Sequence, residues 1–236
     1  MKRAVIANSL SEKAAECLKQ HCIDVIETKA NNAVSENIAY HGDLSFLYDG
    51  NDTLFIASEM AEYKDIFSSF VSEIIVIPER LGCDYPSDVL LNCVTVGRKL
   101  ICNVDTVSPT VLKYFTEMGY DIINVKQGYT KCSVLPVSDN AIITEDPSIA
   151  KACVLHGVDV LTVSKGAVKL AGYSYGFIGG ASGKIFPDTV AFCGDIDTHP
   201  DSAAIRGFLS KYGINALSLD NNRLYDIGSI IPLYGG

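Results

Sequence analysis

The segment His41-Gly42-Asp43 offers the sharpest chemistry in this chain. A histidine and a carboxylate two residues apart on a strand face the same side, so they can share a proton or hold an amine. Glycine between them lets another group approach the backbone. The plain alternative is a histidine hydrogen-bonded at a strand entry. Lys131-Cys132 comes second. A neighbouring ammonium lowers a thiol's pKa and stabilises the thiolate, so Cys132 is the candidate nucleophile, with His41 as its proton carrier and Asp43 beside it. Neighbours on a strand point opposite ways, however, and a core cysteine explains Cys132 as simply.

These residues belong to a wider set of polar positions at the starts of predicted inner strands: His41 and Asp43, Asn92, Lys131 with Cys132 and Ser133, Ser182, and Asp226 with Ser229. Buried polar groups cost about 1–3 kcal/mol for each one left unsatisfied. The set is therefore either a self-satisfied network or the lining of a ligand site, and its acids favour a small cationic ligand.

Three further motifs carry less. Gly179-Gly180-Ala181-Ser182-Gly183-Lys184 fails the phosphate-loop pattern, with Ile178 five residues before Gly183 and Ile185 after the lysine. It reads as glycine-rich backbone lining a channel. The run from Cys193 to Asp201 alternates metal-ligand types but sits at a strand-to-helix junction, where acids serve as caps, and Cys17 with His21 and Cys22 reads the same way. No metal and no cofactor is expected. Tyr40, Tyr173, Tyr175 and Tyr225 fall near the predicted channel, where a flat ring with a polar tip suits a small amphipathic ligand or a protein interface.

A repeat positions all of these. Ser108-Pro109 to Gly119, Asp146-Pro147 to Gly157 and His199-Pro200 to Gly213 each begin a helix with proline at its first position and end it with glycine just beyond. An apolar strand follows each glycine. Hairpins precede the helices, turning at Asp49–Asp52, Gly97-Arg98, Ser138–Asn140 and Pro187-Asp188. Copies run from His41, from Asp88, from Tyr129 and from Gly176. The fifth is split: Asp226–Leu233 supplies a first strand, and the N-terminus supplies Arg3–Ala7, a helix from Ser11 to Gln20 and Ile23–Thr28. Joined ends close a ring and leave no open sheet edge. The predicted fold is α/β, a five-bladed α/β-propeller of ββαβ-type repeats spanning residues 1–236 as one domain.

Composition narrows the partners. A net charge of −9 with no Lys/Arg cluster gives no footprint for nucleic acid or an anionic membrane surface. No apolar run approaches the roughly 18 residues of a membrane span, and none near the start resembles a secretion signal. Eight cysteines without a CxxC pair read as reduced thiols, so the cytoplasm is the expected location. A protein partner is left open.

The five-copy pattern resembles the pentein superfamily of guanidino-modifying enzymes, which includes arginine deiminases, amidinotransferases and dimethylarginine dimethylaminohydrolases. The resemblance covers essentially the whole chain and lies in the repeat pattern. It implies a central channel with an acidic residue, a histidine and a cysteine nucleophile close to the C-terminus. Here the C-terminal segment Tyr225–Pro232 contains no cysteine, and Tyr129 stands where the family's histidine is expected. The enzymes' catalytic residues do not transfer. The expectation is a non-catalytic or divergent protein that binds a small molecule in a polar central channel. The alternative is a hydrolase or transferase acting on a cationic guanidino or amine compound through a rearranged site.

Overall fold

Five short sheets, each of three strands, account for the strands of the computed structural model, which describes residues 3–234. Four are built the same way in chain order. An antiparallel hairpin is followed by a helical segment and a third strand parallel to the second. Their strands are Phe46–Tyr48, Thr53–Ile56 and Glu73–Val76 in the first blade, and Val94–Val96, Lys99–Cys102 and Asp121–Asn124 in the second. The third has Val134–Ser138, Ala141–Thr144 and Asp159–Thr162, and the fourth Ser182–Phe186, Thr189–Phe192 and Asn215–Ser218. The fifth joins the termini. Arg3–Ile6 pairs antiparallel with Ile231–Tyr234, Ala4 opposite Leu233, and parallel with Asp24–Ile26.

The middle strand of each blade is covered on both faces, which is why Thr53–Ile56 and Ala141–Thr144 are apolar runs buried throughout rather than alternating patterns. Blades pack through aromatic and aliphatic wedges. Phe55 of the first blade meets Tyr114 of the second edge-on at 5.0 Å between ring centroids, while within the first blade Phe46 meets Phe67 at 5.3 Å. Burial of each such phenylalanine stabilises the fold by about 2–3 kcal/mol. The inner strands touch in the order Phe46–Tyr48, Ile231–Tyr234, Ser182–Phe186, Val134–Ser138, Val94–Val96. The Thr95 hydroxyl donates to the Asp49 carbonyl at 3.0 Å and closes the circle.

Helix punctuation follows the sequence in two of the three marked copies. Ser108 and Asp146 accept from backbone N–H groups of the first turn, with Pro109 and Pro147 just inside. Gly119, Gly157 and Gly213 all adopt the left-handed conformation, with φ of 72°, 73° and 68°. The third start differs. Ile196–Thr198 first forms a 3₁₀ turn, so the helix is Ser202–Lys211, Asp201 takes the cap position and Pro200 lies outside. Asp195 spends its carboxylate on the Asp197 N–H within that turn, the capping role weighed against metal binding. Among the described residues no helix is long and apolar enough to cross a membrane.

The blade entrances correct a larger expectation. His41–Asp43 and Lys131–Cys132 do not lie on strands. Gly42–Ser45 and Thr130–Ser133 are single helical turns that lead into the inner strands, and Val89–Cys93 is a series of turns before a strand that starts only at Val94. The period-2 reasoning for His41 and Asp43 therefore fails. What brings them together is the curvature of a turn at the crowded axis.

Candidate functional site

The turns stack in register, which the strand pairing makes explicit. Phe46, Val134, Ser182 and Ile231 each face the last residue of their blade's second strand: Ile56, Thr144, Phe192 and Ile6. Counting back five residues from each (46 to 41, 134 to 129, 182 to 177, 231 to 226) gives His41, Tyr129, Phe177 and Asp226. All four line one cavity of about 280 Å³ at the end of the axis. Counting back two gives Leu44, Cys132, Gly180 and Ser229. Leu44 and Cys132 line the same cavity, and Ile38, Leu170, Tyr173, Ser174 and Tyr175 complete its wall. A second, larger cavity opens among the inner strands and includes Lys131.

Between the two lies a buried polar plug. The Lys131 ammonium donates to Ser229 Oγ at 2.9 Å, and Ser229 Oγ lies 2.6 Å from Asp43 Oδ2. Cys132 Sγ–H donates to the same Asp43 oxygen at 3.1 Å. Asn92 straps the plug. Its Nδ2 donates to Cys132 Sγ and the Asp43 carbonyl at 3.2 and 3.1 Å, and its Oδ1 accepts from the Lys131 and Cys132 N–H groups at 2.8 and 3.2 Å. That uses the amide's full hydrogen-bonding capacity. Among the described residues, Asp43 Oδ1 is buried with no hydrogen-bond partner.

Asp226 stands at the cavity side. Its carboxylate accepts from the Phe177 and Gly228 N–H groups, both at 2.9 Å, and lies 3.8 Å from His41 Nδ1. Two glycines make room for it. A Cβ on Gly180 would overlap the Asp226 carboxylate, and one on Gly228, held at φ +75°, would overlap His41.

Burial sets the charge states. It pushes the Asp226 carboxyl above its ordinary value, against the pull of His41. Burial also raises the Cys132 thiol well above 9, and the Asp43 and Asp226 carboxylates push it the same way. The thiol is therefore protonated at neutral pH. The adjacent ammonium expected to activate it points instead towards Ser229. Lys131 itself is held below 10.5 by burial, offset by Asp43.

Of the residues expected at the site, His41, Asp43, Asn92, Lys131, Cys132, Asp226 and Ser229 come together. Ser182 does not, because its hydroxyl donates to the Ile178 carbonyl one turn back at 2.7 Å. Tyr173 and Tyr175 line the cavity, whereas Tyr225 bonds Asp220 at 2.9 Å and Tyr40 is half exposed. The sequence marks Tyr129 only as standing where a histidine is expected. It forms part of the cavity wall and donates its hydroxyl to Asp88. Phe177 was missed, and the five-residue offset from the strand register would have found both.

The five ββαβ blades, the closed ring and the axial site define the pentein fold, a five-bladed α/β-propeller. Dimethylarginine dimethylaminohydrolase of Pseudomonas aeruginosa, solved as a cysteine-to-serine mutant with citrulline, is similar at TM-score 0.56 and 10% identity, covering 99% of both chains. Agmatine deiminase of C. jejuni aligns at 0.52 and 12%, over 92% of this chain and 75% of that one. An amidinotransferase from Microseira wollei, of the saxitoxin biosynthetic pathway, aligns at 0.53 and 12%, over 86% and 72%. No curated protein matches in sequence. The chain belongs to the family of unknown function DUF6873, whose model matches residues 5–231.

Proposed function

We propose that this protein is a small-molecule-binding, non-catalytic pentein whose axial cavity takes a cationic amine or guanidinium compound. One observation carries the reading: the Asp226 carboxylate and the rings of Tyr129, Tyr173, Tyr175 and Phe177 share a single cavity. A carboxylate pairs with the cation while aromatic faces add attraction of about 0.5–2 kcal/mol. With both carboxylates ionised, Asp43 and Asp226 outweigh Lys131 by one charge, so the site favours a positive guest. The overall charge of −9 steers in the same sense. Eight free cysteines suit the reducing cytoplasm, where we place the protein.

L-arginine and L-citrulline test this, being near-isosteres that differ in side-chain charge. Calorimetry is expected to show arginine binding at least about tenfold tighter, or 1.4 kcal/mol, with Asp226→Asn removing the difference. Equal affinities for the two would overturn the reading.

A second reading, a hydrolase or transferase on the same compounds, rests on Cys132, which faces the cavity with ligand-type atoms of His41 and Asp43 within 4.8 Å. The protonated thiol weighs against it. Iodoacetamide at pH 7 separates the two: slow labelling of Cys132, comparable to a core cysteine such as Cys153, is expected for a binding protein. Rapid and selective alkylation of Cys132 would favour the enzyme.

A further inference from the structure

Beyond the Asp226 carboxylate, the plug gathers a second set of ligand-type groups. One atom each from His41, Asp43 and Cys132 lie within 4.8 Å of one another, and all three residues are buried. Asp43 Oδ1 is fully desolvated and, among the described residues, unpartnered. A buried carboxylate oxygen without a donor costs free energy unless a cation occupies its lone pairs. We propose that His41, Asp43 and Cys132 form a three-residue binding site for a borderline-soft divalent metal ion of the zinc type.

Donor chemistry selects that class. Imidazole nitrogen, carboxylate oxygen and sulfur in one set suit Zn²⁺, whereas Mg²⁺ and Ca²⁺ prefer oxygen alone. Bonds of about 2.0–2.3 Å place tetrahedral ligands roughly 3.5 Å apart. All three ligand atoms lie within 4.8 Å of one another and Cys132 Sγ stands 3.1 Å from Asp43 Oδ2, so no gap has to close by more than about 1.3 Å and that one pair opens slightly. On binding, the Cys132 S–H bond breaks heterolytically. Its proton leaves to water, the sulfur lone pair binds the metal, and no oxidant or reductant takes part.

The charges then balance. Before binding, Asp43 and Asp226 against Lys131 leave the plug one negative charge in excess. Adding a dication and a thiolate brings the sum to zero with His41 neutral. Supporting contacts are already present. Asn92 Nδ2 donates to Cys132 Sγ at 3.2 Å, and the Asp226 carboxylate lies 3.8 Å from His41 Nδ1, beyond hydrogen-bond reach but on the side from which a carboxylate orients an imidazole that ligates through Nε2. His41 and Cys132 both line the 280 Å³ cavity, so the coordination position left by three protein ligands opens towards it.

The inference goes beyond amine binding and does not rest on it, so the two fail separately. Chelator-treated protein carrying Cys22→Ser and Cys83→Ser, which removes two exposed thiols, is titrated with Co²⁺ alone. One equivalent is expected to give a near-ultraviolet sulfur-to-cobalt band that zinc abolishes. Cys132→Ser in the same background is expected to lose that band. Absence of the band, or its persistence in Cys132→Ser, overturns the proposal. Should Cys132→Ser not fold, His41→Phe decides: unchanged band intensity and affinity would also overturn it. Arginine binding in metal-free protein is read independently.

Discussion

The first and third blades enter the axis through the same backbone and present opposite chemistry. Gly42–Ser45 and Thr130–Ser133 are both single helical turns leading into inner strands. Position for position, His41 matches Tyr129, Asp43 matches Lys131, and Leu44 matches Cys132. One entrance brings an imidazole and an acid, the other a phenol, a base and a thiol. They meet through Ser229 of the fifth blade, which touches both Lys131 and Asp43. A repeat fold thus supplies equivalent positions, and the contents of each position decide what the axis can hold.

The sharpest way to break this comparison is to empty one side of it. Asp43→Leu strips the buried carboxylate from Ser229 and Cys132 and leaves the half-buried Lys131 ammonium without the counter-charge it reaches through Ser229. Breaking such a charged network costs about 3–5 kcal/mol. Adding Lys131→Met should recover most of that loss, because two apolar groups of similar volume then replace two charges. Urea unfolding of the four proteins reads the coupling. Simple additivity of the two single losses would show that the entrances do not depend on each other.

The rim of the ring was legible in the sequence because it obeys local rules. Proline, cap and glycine repeat at Ser108–Gly119 and Asp146–Gly157, and the hairpin turns fall at Asp49–Asp52, Gly97-Arg98, Ser138–Asn140 and Pro187-Asp188, between paired strands. The split fifth blade followed from the same count. The axis was less legible. His41-Gly42-Asp43 and Lys131-Cys132 carry no strand periodicity because tight turns, constrained by contacts from other blades, set their geometry. Asn92 gathers Asp43, Lys131 and Cys132 across long stretches of chain, which no local pattern reveals. The His199-Pro200 start misled because a 3₁₀ turn took the place of the first helical turn.

A second asymmetry follows the second strands. Ile56 and Thr144 end them, so Ala57 of the first blade matches Glu145 of the third. Burial raises the Glu145 carboxyl to about 8, against backbone donation from Ile178. Its folded value exceeds the ordinary 4.5, so the folded state binds the proton more tightly. Stability is then greatest below about pH 4.5 for this group and is lost as pH rises to about 8, a term on the order of 3 kcal/mol at pH 7. Glu145→Gln keeps an acceptor for the Ile178 N–H and removes the titration. Its stability should vary less than wild type between pH 5 and 8 and exceed it at pH 8. Parallel curves for the two proteins would show that Glu145 is already ionised in the fold.

The smallest expected effect concerns the pair His41 and Tyr129, which hold matching places in the cavity wall. Tyr129 also donates its hydroxyl to Asp88 Oδ2, and Asp88 Oδ1 is buried with no hydrogen-bond partner among the described residues. Tyr129→Phe keeps the ring and removes the donor. It should lower stability by about 1–2 kcal/mol, the cost of leaving a buried carboxylate unpartnered, and change arginine affinity less than about threefold, since the aromatic face remains. A tenfold or greater loss of arginine binding with unchanged unfolding midpoint would reassign the phenol. It would then contact the ligand, and the third blade would contribute a polar group to the cavity as the first does with His41.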